Sequence, residues 1–168
     1  MKLKYQDPGY PNAIQQLQMN GCRWIGNFHN DPADDIAGQT FQLSQSGNLE
    51  TVSIYFEMIP RGGRVKLSLH HFDDSNHSWG PALGSAEMEL NKDEDPGWVE
   101  FRMGTLQLDG TKRYGFRLHT QDALLALGEA VWGHSNINHA GEEWIVKGNE
   151  KNGHYYRYFS LVYSLGMN

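Results

Sequence analysis

Two tryptophans stand in polar segments between candidate strands. Trp79 follows the run Asp-Asp-Ser-Asn-His-Ser, and Trp132 opens the run Trp-Gly-His-Ser-Asn. Sugars pack their axial C–H bonds on flat aromatic rings, while neighbouring polar side chains bond the hydroxyls. The alternative is that each indole packs on the edge of the fold, as large aromatic side chains usually do. The pattern predicts a glycan site made of Trp79, Trp132, Asn76, His77, His134 and Asn136.

Three aspartates near the N-terminus, Asp31, Asp34 and Asp35, supply the hard oxygen ligands that Ca²⁺ prefers. They predict a structural calcium site, with a solvated loop as the alternative. A second acidic segment, residues 91–102, is similar to the start of an EF-hand loop but departs from that pattern. Its glycine comes one place late, and its twelfth position is Arg102 instead of glutamate. We interpret this second segment as a solvated turn.

Several of the eight histidines fall on predicted strands. They show no His-x-x-x-His spacing and have no cysteine partner, so the chain carries no zinc motif. His70 and His119 should both point away from the core, on a polar face shared with Lys66 and Arg117. A solvated sheet face is the simpler interpretation of that set.

Catalysis would need a placed nucleophile or a pair of carboxylates. Cys22 follows an Asn-Gly pair near the N-terminus, and a papain-like cysteine peptidase also has its nucleophile early in the chain. Such a cysteine needs a helix behind it, whereas glycine, proline and then strands follow here. Glu87, Glu89 and Glu100 could line the cleft of a glycan-active hydrolase or lyase, but no motif marks them. We therefore expect no enzymatic activity and keep these two classes as alternatives.

Composition limits the other classes. The chain has 168 residues and a formal charge of −6, and its basic residues form no cluster, which argues against nucleic acid as a partner. No segment approaches the roughly 18 apolar residues of a membrane span, so we expect no membrane insertion. The N-terminus has no apolar signal-peptide core, and the one cysteine excludes an internal disulfide. An extracellular or surface location is expected if the chain is part of a larger assembly; the oligomeric state stays open.

From Gly38 onwards, apolar and polar residues alternate with a period of two, which is typical of strands with one buried face. Such segments cover residues 52–58, 65–70, 99–103, 114–119 and 159–165, with shorter candidates at 40–43, 86–90 and 143–147. Turns rich in glycine, asparagine and aspartate separate them. The alternation predicts a core that includes Phe56, Leu67, Phe101, Phe116, Leu118 and Leu161.

Residues 1–37 have a different character. Asn12 could cap a short helix that ends near Met19, and residues 22–25 form a candidate strand. Residues 122–130 fit a short helix or a strand equally well. We predict a helical or irregular N-terminal extension, residues 1–37, packed on a β-sandwich domain, residues 38–168. The predicted fold is all-β, with two antiparallel sheets in a sandwich of jelly-roll type.

The chain also resembles a jelly-roll β-sandwich module of bacterial surface proteins and phage structural proteins. The resemblance lies in segments 39–44 (QTFQLS), 46–55 (SGNLETVSIY), 97–101 (GWVEF), 106–114, 132–133 (WG), 140–144 (AGEEW) and 159–165. It implies an architecture similar to that of carbohydrate-binding modules and galactose-binding-like domains. Jelly-roll binding modules often hold a calcium ion near their first strands, which agrees with the aspartates at 31–35. Many members of the module have no known ligand.

Together these features predict a non-catalytic binding module with a neutral glycan as its ligand. The main alternative is a structural or adhesive spacer of a surface or virion assembly, which needs the same sandwich but no pocket. The two differ in whether Trp79 and Trp132 lie around one depression or are buried apart. An enzyme would instead need a deep cleft with paired carboxylates.

Overall fold

A computed structural model describes residues 14–26, 35–131, 141–147 and 150–168. All regular secondary structure within these ranges is β-strand. The strands are β1 (Ile14–Gln16), β2 (Gly21–Gly26), β3 (Ile36–Gln42), β4 (Gly47–Arg61), β5 (Gly63–Asp73), β6 (Ser78–Leu90), β7 (Gly97–Leu108), β8 (Arg113–Thr120), β9 (Leu124–Val131), β10 (Glu143–Val146), β11 (His154–Tyr156), β12 (Phe159–Leu161) and β13 (Tyr163–Met167). The described part of the chain contains no helix long and apolar enough to cross a membrane.

The described strands form two sheets in which all the pairs are antiparallel. The larger sheet has the order β1-β13-β4-β9-β12, with β2 also paired to β9 and β7 to β4. The smaller sheet has the order β11-β10-β3-β8-β5-β6. The long strand β4 lies at the centre of the larger sheet, and the turn at Gly62 leads from it into β5 of the smaller sheet.

The core lies between the two sheets. All six residues predicted to be buried, Phe56, Leu67, Phe101, Phe116, Leu118 and Leu161, are at most 2% exposed. Rings from opposite sheets meet there: Phe116 of β8 packs edge-on against Tyr163 of β13, with ring centroids 5.5 Å apart. The prediction of an all-β, two-sheet antiparallel sandwich is therefore confirmed.

The predicted N-terminal helix is wrong for the residues that the structure describes. Ile14–Gln16 pairs with β13, and Gly21–Gly26 pairs with β9, so both segments extend the larger sheet. An isolated helix of two turns is marginal in water, whereas each of these segments gains a full ladder of hydrogen bonds at a sheet edge. The candidate strand at 22–25 is confirmed, and the ambiguous segment 122–130 is largely the strand β9.

Candidate functional site

The outward-facing side of the smaller sheet carries the most unusual set of side chains. Phe116 and Leu118 of β8 point into the core, so Gly115 and Arg117, which alternate with them, face outward. In the register of the sheet, Gly38 of β3 and Ser68 of β5 lie on either side of Arg117. We call this side, from β10 across to β6, the outer face.

Trp79 lies across the outer face. It is the second residue of β6, where the sequence had placed it in a loop, and it is half-buried. A Cβ atom added to Gly38 would stand 2.8 Å from the indole, and one added to Gly115 would stand 2.6 Å from it. Both glycines lie inside strands, where their missing side chains leave room for the indole to lie against the sheet.

An aromatic cluster surrounds this indole. Phe72 lies opposite Trp79 on β5, with ring centroids 5.5 Å apart. Trp144 of β10 meets Trp79 edge-on at 5.8 Å and is only 2% exposed, although it points away from the core. Tyr155 of β11 covers Trp144 at 5.1 Å, and His77 lies 4.3 Å from Tyr155. The cluster therefore covers the part of the outer face around Trp79 and Trp144.

Polar contacts fix the rim of the cluster. Nε2 of His77 lies 2.8 Å from a carboxylate oxygen of the buried Glu142, whose other oxygen accepts a hydrogen bond from Arg157. The turn before β6 is held by Asp73, which accepts hydrogen bonds from the backbone of Asn76 and from its side-chain amide. These bonds to Asn76 lower the pKa of Asp73, and they commit the Asn76 amide to the turn.

The guanidinium of Arg117 lies over the Trp79 ring. Its guanidinium carbon lies 4.4 Å from the centroid of the Trp79 ring, a cation–π contact. The Nε and Nη2 atoms are buried and donate to no acceptor among the described residues. Burial lowers the pKa of Arg117 to about 10, so the side chain still carries its charge at neutral pH.

His70 stands beside Arg117 and is fixed by two hydrogen bonds. Its Nδ1 is 3.0 Å from the carbonyl oxygen of Gly80, and its Nε2 is 2.7 Å from the hydroxyl of Ser68. Desolvation lowers the pKa of His70, and the charge of Arg117 lowers it further. We therefore assign a neutral ring, in which Nδ1–H donates to Gly80 and Nε2 accepts from Ser68.

A depression of about 280 Å³ opens beside this pair. A second depression of about 660 Å³ continues along the sheet, and the two share Lys66 and His119. Arg64, Lys66, Ser68 and His70 alternate outward along β5, so the combined groove runs for about 20 Å at the usual strand rise. The first depression is lined by Ile36, Lys66, Ser68, His70, Ala82, Arg117 and His119.

The structure describes only part of the predicted glycan site. It places Trp79 and His77 together in the aromatic cluster, and it places Asn76 in the exposed turn beside them. The remaining three predicted residues lie outside the described ranges: Trp132, His134 and Asn136. Their participation in a site stays a prediction.

The predicted calcium site falls mostly outside the described ranges, which exclude Asp31 and Asp34. Asp35 is described, and its backbone bridges to Gly26. Within the described residues, no group of three His, Cys, Asp or Glu side chains has the arrangement of a metal site. The calcium site stays a prediction.

Two glutamates do meet, at an edge of the sandwich. Arg23 of β2 donates to Glu129 of β9 at 2.8 Å and to Glu143 of β10 at 3.0 Å, which ties the larger sheet to the smaller one. Burial raises the pKa of Glu143, and its hydrogen bond to Glu129 raises it further. Carboxyl groups in hydrogen-bonding contact are closer than the separation of about 5 Å or more that glycosidases use. We interpret this triad as a structural link between the sheets.

The other candidate catalytic groups are placed as follows. Glu87, Glu89 and Glu100 line one shallow depression between β6 and β7. The side chains of Glu87 and Glu89 are 49% and 66% exposed, with Arg64 as their partner, whereas a general acid needs shielding from water to keep its proton. Cys22 lies inside strand β2, not at the helix N-terminus that would favour its thiolate.

Sequence reasoning assigned Arg117, Lys66, His70 and His119 to one face, and the structure confirms that all four line the same depression. It interpreted that face as ordinary solvated surface and did not connect it with Trp79. The signal that it passed over was Gly115 inside the predicted strand 114–119, because such a glycine marks a close approach; Gly38 precedes the predicted strand 40–43.

Comparisons with known proteins support the fold. No family model matches the chain, and no curated protein matches it. One similar solved structure holds the cysteine protease and lectin-like domains of Cwp84, a surface layer associated protein of Clostridium difficile, with a TM-score of 0.54 and 10% identity. That match covers 79% of this chain and 32% of the Cwp84 chain. At this identity the likeness shows a shared β-sandwich fold, and this chain spans about a third of the other.

A second solved structure is the GH26-CBM35 β-(1,4)-mannanase of Podospora anserina. It is 14% identical over 79% of this chain and 28% of the mannanase chain. Its TM-score of 0.36 is too low to indicate a common fold.

Proposed function

We propose that the protein is a non-catalytic glycan-binding module and that the sugar lies on the outer face of the smaller sheet. The observation that carries this proposal is the position of Trp79, a half-buried indole whose neighbours Arg117 and His70 line the groove. Aromatic surface next to hydrogen-bonding side chains is the usual composition of a sugar site. The fold shared with a structure that includes a lectin-like domain agrees with this proposal.

The groove offers the polar groups that hydroxyl recognition needs. Arg117 and Lys66 donate hydrogen bonds, Ser68 offers an oxygen, and His119 can donate or accept. A shallow groove of this kind would bind an oligosaccharide weakly, with a Kd of about 0.1–1 mM, or about 4–5 kcal/mol.

The spacer alternative needs the sandwich but not this surface. Two strand glycines and an arginine without a bonding partner are costly features for a face that has only to be solvated. The arrangement therefore favours binding over a purely structural role.

The test is a glycan array followed by affinity electrophoresis of the purified chain. Trp79→Ala and Trp132→Ala should both lose retention of any glycan that the wild type retains, while their circular dichroism stays that of a β-protein. Trp98→Ala is the matched control, because Trp98 is also half-buried but belongs to the larger sheet. Wild-type-like retention by both test variants, or no retention by the wild type on a broad panel, would favour the spacer instead.

A further inference from the structure

Arg117 has no acidic partner among the described residues, in contrast to five other arginines of the chain. Arg117 is part-buried, and no carboxylate of the described residues lies within 4.0 Å of it. Five other arginines each lie near an acidic side chain. They are Arg23 with Glu129 and Glu143, Arg64 with Glu87 and Glu89, Arg102 with Glu100, Arg113 with Asp74, and Arg157 with Glu142.

The surroundings of Arg117 keep it uncompensated. Among the described residues, the depression that it lines also contains Lys66 but no aspartate or glutamate. Its histidine neighbour His70 already gives both ring nitrogens to the fold. Glu87 lies opposite Lys66 on β6, but its carboxylate is 3.6 Å from Arg64, toward the other end of the groove. A local excess of positive charge therefore exists in a chain whose formal charge is −6.

We infer that this end of the outer face binds an anionic group of a glycan, the carboxylate of a uronic acid or a sulfate ester, with Arg117 as the principal contact. This inference rests on the proposed function and replaces the neutral glycan expected from the sequence. A part-buried guanidinium without an acceptor costs free energy that an anion at the same place offsets. Guanidinium groups also match carboxylate and sulfate oxygens through two parallel hydrogen bonds. Lys66 adds a second charge at the mouth of the depression.

The experiment compares matched acidic and neutral polymers. Affinity electrophoresis of the full chain is run in polygalacturonate, fully methyl-esterified polygalacturonate, dextran sulfate and dextran. The expected result is at least ten-fold tighter binding to one acidic polymer than to its neutral counterpart. The two acidic arms distinguish a carboxylate from a sulfate ester as the recognised group.

Three variants assign the effect to the depression. Arg117→Gln should reduce affinity for the acidic polymer at least ten-fold and so remove the preference for the acidic polymer over its neutral counterpart. Arg117→Lys keeps the positive charge but loses the planar guanidinium, so its affinity for the acidic polymer should lie between those of the wild type and Arg117→Gln. Arg102→Gln is the control, because Arg102 is an exposed arginine on the other sheet. A thermal melt of each variant checks that the fold is intact.

The possible outcomes separate the two proposals. Equal retention in acidic and neutral polymers would overturn the anionic ligand and leave glycan binding standing. Retention in none of the polymers would remove both. An acidic preference that survives Arg117→Gln, or that Arg102→Gln loses equally, would show that the recognition does not belong to this depression.

Discussion

The substitution Gly115→Ala tests whether the Trp79 indole lies against the sheet. The new Cβ would stand 2.6 and 2.8 Å from two carbon atoms of the indole. Carbon atoms prefer about 3.5–4.0 Å, so the ring would have to move by about 1 Å and lose its contacts with Arg117 and Trp144. Overpacking of this kind costs about 1–3 kcal/mol.

Gly97→Ala is the matched control, since only one atom would approach its Cβ, the backbone oxygen of Asp95 at 3.9 Å. Both substitutions reduce the entropy of the unfolded chain alike, so their difference isolates the clash. We expect Gly115→Ala to lower the free energy of unfolding by about 1–3 kcal/mol relative to Gly97→Ala, measured by urea denaturation.

A double-mutant cycle makes the test specific. In a Trp79→Ala background the clash with the ring is gone and only the contact with the backbone oxygen of Gln39 at 3.0 Å remains, so Gly115→Ala should cost less than it does in the wild type. If Gly115→Ala is harmless in the wild type, or equally costly without the indole, then Trp79 does not lie where the structure places it, and the outer face has to be reconsidered.

Four further predictions follow from the sandwich. Arg23→Ala should cost about 3–5 kcal/mol, because it leaves two buried carboxyl groups without their cation, whereas Arg102→Ala at an exposed pair should cost less than about 1 kcal/mol. Folding raises the pKa of Glu143 above its ordinary value of 4.5. At a pH between the unfolded and the folded pKa, the native state therefore holds a proton that the unfolded chain has lost. The contribution of Glu143 to the free energy of unfolding falls as the pH rises between these two pKa values. Glu143→Gln should therefore gain stability relative to the wild type as the pH rises from 4.5 toward neutrality. A difference between the urea midpoints of variant and wild type that does not change with pH would contradict this. Phe101→Ala should cost about 3–5 kcal/mol by the same assay because Phe101 is fully buried, and a loss below about 1 kcal/mol would contradict its place in the core. If the aspartates at 31–35 bind calcium, chelator should lower the melting temperature and added calcium should restore it, and a melt unchanged by millimolar calcium would remove that site.

The strands of the sandwich could be predicted because each of them buries one face. Alternation shows which residues turn inward, and the six predicted core residues are indeed buried. The same logic missed β1, which is too short to display a period. Its strand conformation comes from the open edge that β13 offers it, and this information lies more than a hundred residues away in the chain.

The outer face could not be predicted from alternation alone. A period of two says that Arg117 points outward, but not what lies next to it. Its neighbours Gly38, Trp79 and Trp144 come from distant parts of the chain, and only the strand order β10-β3-β8-β5-β6 brings them together. The two strand glycines carried part of the answer, because a glycine that weakens a strand often marks a close approach.

The features of this face are hard to explain as adaptations for stability. Glycine is a weaker strand former than alanine where nothing packs against it, so glycines at 38 and 115 are explained only by the indole that they accommodate. Among the described residues, Arg117 is part-buried without an ion pair. Other arginines of the chain have acidic partners, and other exposed strand faces carry ordinary polar residues. Where a protein keeps several locally unfavourable choices within one small area, function is the usual cause. Each of these choices becomes favourable if an anionic sugar lies against Arg117 and Trp79: the glycines seat the indole, the indole positions the guanidinium, and the ligand supplies the missing charge.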